Sequence, residues 1–118
     1  MSALSGKRIL VVEDESIVAA MVEDMLAELG ATVVGPASTV ARGVALAEAA
    51  PVDAAVLDVN VRDERIDPVV DALTARKIPF VFATGYGAFA SSAPDAPILA
   101  KPYTQQKLAQ ALGRVIAS

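Results

Sequence analysis

Apolar positions along this chain fall into short continuous runs alternating with longer stretches of helical spacing. Arg8 to Val12 (RILVV) is a β-rich run that meets Glu13-Asp14-Glu15 at once. From about Glu15 to Leu29, Ile17, Met21 and Met25 make one helical stripe, widened by Val18, Val22, Leu26 and Leu29. Asp14 can cap the start of that helix, and Gly30 fits its end. Ala31 to Gly35 (ATVVG) predicts a second strand, followed by a helix capped by Ser38 and stopped near Ala50 by Pro51. Gly43 weakens the interior of that helix. Ala54 to Asp58 (AAVLD) predicts a third strand, apolar until its last residue. Asp67-Pro68 reads as a cap followed by proline at the first helical position, opening a helix to about Arg76. Pro79 to Thr84 (PFVFAT) and Pro97 to Ala100 (PILA) predict two more strands. Thr104 caps a last helix, with Leu108, Ala111, Leu112, Val115 and Ile116 on one face.

Strands that are apolar on both faces and alternate with helices imply a parallel sheet sandwiched between helical layers. Right-handed crossovers then put every strand's C-terminal end on one edge, where such sheets bind their ligands. One stretch breaks the rhythm. Gly85 to Ala96 (GYGAFASSAPDA) carries two glycines, paired serines and a proline where a fourth helix belongs, so a short, frayed or absent helix is expected there.

Composition narrows the chemistry. The 118 residues suit one compact domain, 1–118, and 54% of them are hydrophobic, which predicts a packed core. With no cysteine and no histidine, thiol catalysis, serine–histidine triads and imidazole zinc sites are excluded. A net charge of −4 with only 10 basic residues argues against direct nucleic-acid binding. The opening MSALSGKR is too short and polar for a signal peptide, and no apolar run reaches membrane-spanning length, so a cytoplasmic, membrane-free protein is expected.

Glu13-Asp14 follow the first strand, Asp58 ends the third, Thr84 ends the fourth and Lys101-Pro102 follow the fifth. The shared edge therefore gathers three carboxylates, a hydroxyl and an ammonium. Any of these alone has an ordinary structural explanation: acids favour helix starts, and a lysine before a turn is a surface charge. Their coincidence at several strand ends points to function. Two carboxylates about 4 Å apart repel by roughly 4 kcal/mol at an effective dielectric of 20. A cation, Lys101 or protonation of one acid can relieve such a cluster. Among cations, Mg²⁺ (or Mn²⁺) suits an oxygen donor set, and a carboxylate beside a cation and a lysine is placed to attack a phosphoryl group.

At these residues the chain resembles a response-regulator receiver domain over nearly its whole length. The segments that carry the likeness are ILVVEDE at 9–15, AVLDVN at 55–60, FVFATGYG at 80–87 and AKPY at 100–103. The resemblance implies a flavodoxin-like (βα)5 α/β sandwich whose five-stranded parallel sheet runs in the order 2-1-3-4-5. It implies that Asp58 is the phosphoacceptor, attacking a phosphohistidine of a sensor histidine kinase or a histidine phosphotransferase. Asp14 and Asp58 would ligate the metal, Glu13 would act through water, and the main-chain carbonyl of Asn60 would complete the set. Thr84 and Lys101 would hold the phosphoryl oxygens, and hydrolysis of the acyl phosphate would reset the switch. Apart from this self-chemistry, no enzyme activity is expected.

Three departures from the family pattern stand out. Ile98 occupies the position, three before the lysine, where an aromatic residue usually accompanies the switch threonine. Gly85 and Tyr86 follow Thr84, and FATGY resembles the signature of a receiver subgroup typical of alphaproteobacteria. The loop after Asp58, NVRDERID, lacks the proline often found four residues on. Together they suggest that Tyr86 takes part in signalling while phosphorylation orders residues 85–96; contacts that merely hold a loop are the plainer reading of Tyr86 and Phe89. The expected protein is a stand-alone receiver, monomeric or weakly dimeric, that signals by binding a downstream protein; an excised fragment is the alternative. Two competitors are a receiver-like interaction module that ignores phosphorylation and a Mg-dependent phosphohydrolase with an aspartate nucleophile. The phosphohydrolase would usually need an acid where Asn60 stands.

Overall fold

In the computed structural model, residues 4–62, 64–84 and 96–117 are described, Asn60 and Thr84 by their backbone alone. In chain order the elements are β1 (Arg8–Val12), α1 (Ser16–Glu28), β2 (Thr32–Ala37), α2 (Val40–Ala49), β3 (Ala54–Asp58), β4 (Asn60–Val61), β5 (Glu64–Arg65), α3 (Asp67–Ala75), β6 (Phe80–Thr84), β7 (Ile98–Ala100) and α4 (Gln105–Ala117). Five strands form a parallel sheet in the order β2-β1-β3-β6-β7. It departs from the expected 2-1-3-4-5 only in numbering, because a small antiparallel hairpin, β4–β5, intervenes after β3.

Strand alternation builds two cores, one on each face of the sheet. Leu10 and Val12 of β1 point to one face with Ala55, Leu57, Phe80 and Phe82, where Val40 and Ala47 of α2 and Val69, Val70 and Leu73 of α3 cover them. Ile9 and Val11 point to the other face with Val56, Val81 and Ala83, covered by Val22 and Leu26 of α1 and by Leu108, Ala111 and Leu112 of α4. Phe80 and Phe82 meet edge to face, with centroids 5.4 Å apart.

Gly43 is the contact that lets α2 approach the sheet. A Cβ built there would lie 3.1 Å from both Val12 Cγ2 and Val69 Cγ2. Close packing outweighs helix propensity at this position. Gly43→Val should therefore lower unfolding free energy by about 1–3 kcal/mol through overpacking, which urea denaturation followed by circular dichroism will measure.

Several local expectations need correction. Asp14 does not cap α1: Glu15 is the N-cap residue, and its side chain makes no capping hydrogen bond. Thr39, not Ser38, caps α2, its Oγ1 accepting the Arg42 N–H at 3.1 Å. Ile66 occupies the cap position of α3, and Asp67 lies in the first turn, where its charge complements the helix dipole. The Ile17–Met21 stripe of α1 faces outward, with Ile17 77% and Met21 47% exposed. Ala19, Val22 and Leu26 are the buried residues of α1. Thr104 caps α4 as expected, its Oγ1 accepting the Lys107 N–H. Gly30 ends α1 with φ of +82°, the left-handed cap conformation that favours glycine. The expected gap around the fourth helix falls, except for Ala96, outside the described residues.

Candidate functional site

Register alone brings the acidic residues together. Val12 pairs with Leu57, so Glu13 leaves β1 alongside Asp58 at the end of β3. Asp58 pairs with Ala83, and Thr84 pairs with Ala100, which delivers Lys101 to the same edge. Lys101 Nζ lies 2.7 Å from Glu13 Oε1 and 3.3 Å from Asp58 Oδ2. The side chains of Glu13, Asp58 and Lys101 are 5%, 12% and 15% exposed, so this pairing is largely shielded from solvent. Glu13 is held further by the Glu15 N–H, which donates to Oε2 at 3.1 Å. The Arg62 N–H donates to Asp14 Oδ2 at 3.0 Å.

One ammonium is shared by two carboxylates, and the imbalance shows in Asp58. Burial first, then the adjacent Glu13, outweigh Lys101 and push the Asp58 carboxyl up to about 7. Burial opposes charge on Lys101, but Glu13 and Asp58 more than offset it and raise its pKa above the ordinary lysine value. Burial likewise pushes the Tyr103 phenol up to about 12.

The donor chemistry fits a hard divalent cation. Glu13, Asp14 and Asp58 each offer a carboxylate oxygen, all within 4.8 Å of one another. Thus Glu13, Asp14, Asp58 and Lys101 meet as expected, and Glu13 is the deepest of the acids and the closest partner of Lys101. The side chains of Asn60 and Thr84, and Gly85 and Tyr86 altogether, lie outside the described residues. Ile98 opens β7 and is 57% exposed. The hairpin and Arg62 were missed in the sequence; the only signal there was the departure of NVRDERID from the family pattern.

A parallel α/β sheet with an acidic trio and a lysine at its C-terminal edge has the layout of a divalent-cation site in a strand-end crevice. No family model matches the chain, and neither does any curated protein. Among solved structures, SdrG from Sphingomonas melonis Fr1 is 47% identical over 100% of both chains, with a TM-score of 0.84. The BeF3-activated conformation of SdrG matches with a TM-score of 0.79 over 98% of this chain and 99% of that one, again at 47% identity. A response regulator receiver protein from Sinorhizobium medicae WSM419 is 24% identical, with a TM-score of 0.87 over 98% of each chain. The receiver domain of a sensor histidine kinase from Pseudomonas aeruginosa PAO1, solved with magnesium in its active-site cleft, is 25% identical with a TM-score of 0.82, over 97% of this chain and 100% of that one. The chain belongs to the response-regulator receiver family, whose members are phosphorylated on an aspartate.

Proposed function

We propose that this chain is a single-domain response regulator of the FATGY-type subgroup, acting in the cytoplasm, with Asp58 as its phosphoacceptor. An Asp58 oxygen attacks the phosphorus of a phosphohistidine on a sensor kinase or histidine phosphotransferase; the new P–O bond forms as the P–N bond breaks and the imidazole leaves. Asp14, Asp58 and the Asn60 carbonyl would hold Mg²⁺ or Mn²⁺, with Glu13 assisting through water. When bound, the cation neutralises charge on the phosphoryl oxygens. Lys101 would offer a second positive charge, and Thr84 would bond a phosphoryl oxygen. The observation that carries this reading is the shielded pairing of Lys101 with Glu13 and Asp58 at the edge where β1 and β3 end.

Docking of a phosphodonor protein is supported by α1. Its exposed Met21 lines a groove of about 310 Å³ together with Val18, Met25, Lys101 and Tyr103. An apolar surface beside the acceptor suits a helical partner that presents its histidine there.

Incubation with acetyl phosphate and Mg²⁺, read by intact mass, tests the proposal. Wild type should gain a base-labile adduct of about 80 Da, one phosphoryl group; Asp58→Asn should gain none. An unlabelled wild type, or a labelled Asp58→Asn, would sink it.

A further inference from the structure

Arg62 sits at the turn of the β4–β5 hairpin, four residues beyond Asp58, with φ of +53°. A non-glycine residue adopts that left-handed conformation only when its surroundings hold it there. Two bonds do so. Its N–H donates to Asp14 Oδ2 at 3.0 Å, and its Nε donates to the Ser38 carbonyl at 3.1 Å, across the turn between β2 and α2. The flanks of the hairpin are anchored as well: Val61 and Ile66 are buried in the α2–α3 core, and the Ile66 N–H donates to the Val59 carbonyl. Among the described residues, the Arg62 amide is the one hydrogen-bond donor to the Asp14 carboxylate.

We propose that Arg62 is a positioning residue: its backbone amide aims the Asp14 carboxylate into the acidic pocket, and its guanidinium latches the hairpin in the conformation that points the amide that way. The inference rests on the phosphoacceptor reading for its consequence, but its geometry stands in the metal-free protein. The amide reaches Asp14 from a left-handed backbone. The side chain, by bonding Ser38, offsets the strain of that backbone.

Substitution separates the two parts. Arg62→Gly keeps the amide and adopts positive φ without strain. Arg62→Pro removes the amide and forbids positive φ. Removing the partner that orients a metal ligand costs 10–100-fold in affinity in other sites, so Arg62→Pro should bind Mg²⁺ about tenfold more weakly, by calorimetry. Its labelling by acetyl phosphate should slow at low Mg²⁺ and recover when Mg²⁺ is saturating. Arg62→Gly should stay within about threefold of wild type, since the oriented donor remains. In the metal-free protein, Asp14→Ala should speed hydrogen exchange at the Arg62 amide, a readout independent of both metal and phosphorylation and open even if Arg62→Pro folds poorly. Equal losses in the proline and glycine variants, wild-type affinity in the proline variant, or unchanged Arg62 exchange in Asp14→Ala would each overturn the proposal. A wild type that binds Mg²⁺ with the predicted split between variants, yet takes no phosphoryl group, would instead overturn the acceptor role of Asp58.

Discussion

Replacing Lys101 with methionine should destabilise the metal-free protein by about 3 kcal/mol at pH 8, because a buried carboxylate loses the partner that offsets its desolvation. Methionine keeps much of the stem volume, so the loss reports charge rather than a cavity. Glu13 is the residue that suffers: it is 5% exposed, Lys101 is its ion-pair partner, and the Glu15 amide is a weaker, neutral donor to it. The deficit should shrink as pH falls, since protonation then relieves the repulsion between Glu13 and Asp58. Saturating Mg²⁺ should recover part of the loss, because a bound cation again opposes the carboxylates. Urea denaturation at pH 5 and pH 8, with and without Mg²⁺, measures all of this. A variant as stable as wild type at pH 8 would show that the 2.7 Å pair contributes nothing to the fold.

The second large effect is a pH dependence of unusual simplicity. Asp58 titrates near 7 in the folded chain, against an ordinary value of 3.8. Between those values the folded state binds a proton that the unfolded state has released. The contribution of Asp58 is therefore fully present below about pH 4 and falls as pH rises toward 7, by at most about 1.4 kcal/mol per pH unit for one proton. Arg8 pulls the Asp53 carboxyl below its ordinary value, but that exposed pair acts at lower pH and in the opposite direction. The chain has no histidine, so no imidazole titration overlaps the window. Asp58→Asn should flatten the decline between pH 5 and 7 and be the more stable protein at pH 8 without metal. Mg²⁺ affinity should rise over the same range, because the ion competes with the proton for Asp58. Thermal melts in metal-free buffer from pH 4.5 to 8 decide it; a wild-type curve that is flat or rising over 5–7 would contradict the assignment.

How much of this was readable beforehand depended on whether a feature repeats along the chain. The two faces of β1, Ile9 and Val11 against Leu10 and Val12, are visible in RILVV because strand side chains alternate. The convergence of Glu13, Asp14, Asp58 and Lys101 needed only the rule that parallel strands end on one edge. The buried face of α1 was harder to choose, because apolar residues nearly encircle that helix and only tertiary packing selects Val22 and Leu26 over Ile17 and Met21. Ser38 and Thr39 are neighbouring hydroxyls, equally able to cap on paper. The β4–β5 hairpin has strands of two residues, too short for any periodicity to register. That Glu13 rather than Asp58 lies nearest to Lys101 follows from side-chain geometry that no spacing encodes.

The outer strands of the sheet carry one more implication. Pro36 lies within β2, and Pro97 and Pro102 bracket the three-residue β7. A proline offers no amide, so a foreign strand laid along either margin would find the row of donors interrupted or cut short. Zippering of one molecule onto another through main-chain pairing is thereby discouraged at both sides, and recognition is left to side chains on the helices and at the crown of the sheet. A switch that has to meet and release other proteins repeatedly gains from such margins, since reversible encounters are kept from hardening into shared sheet.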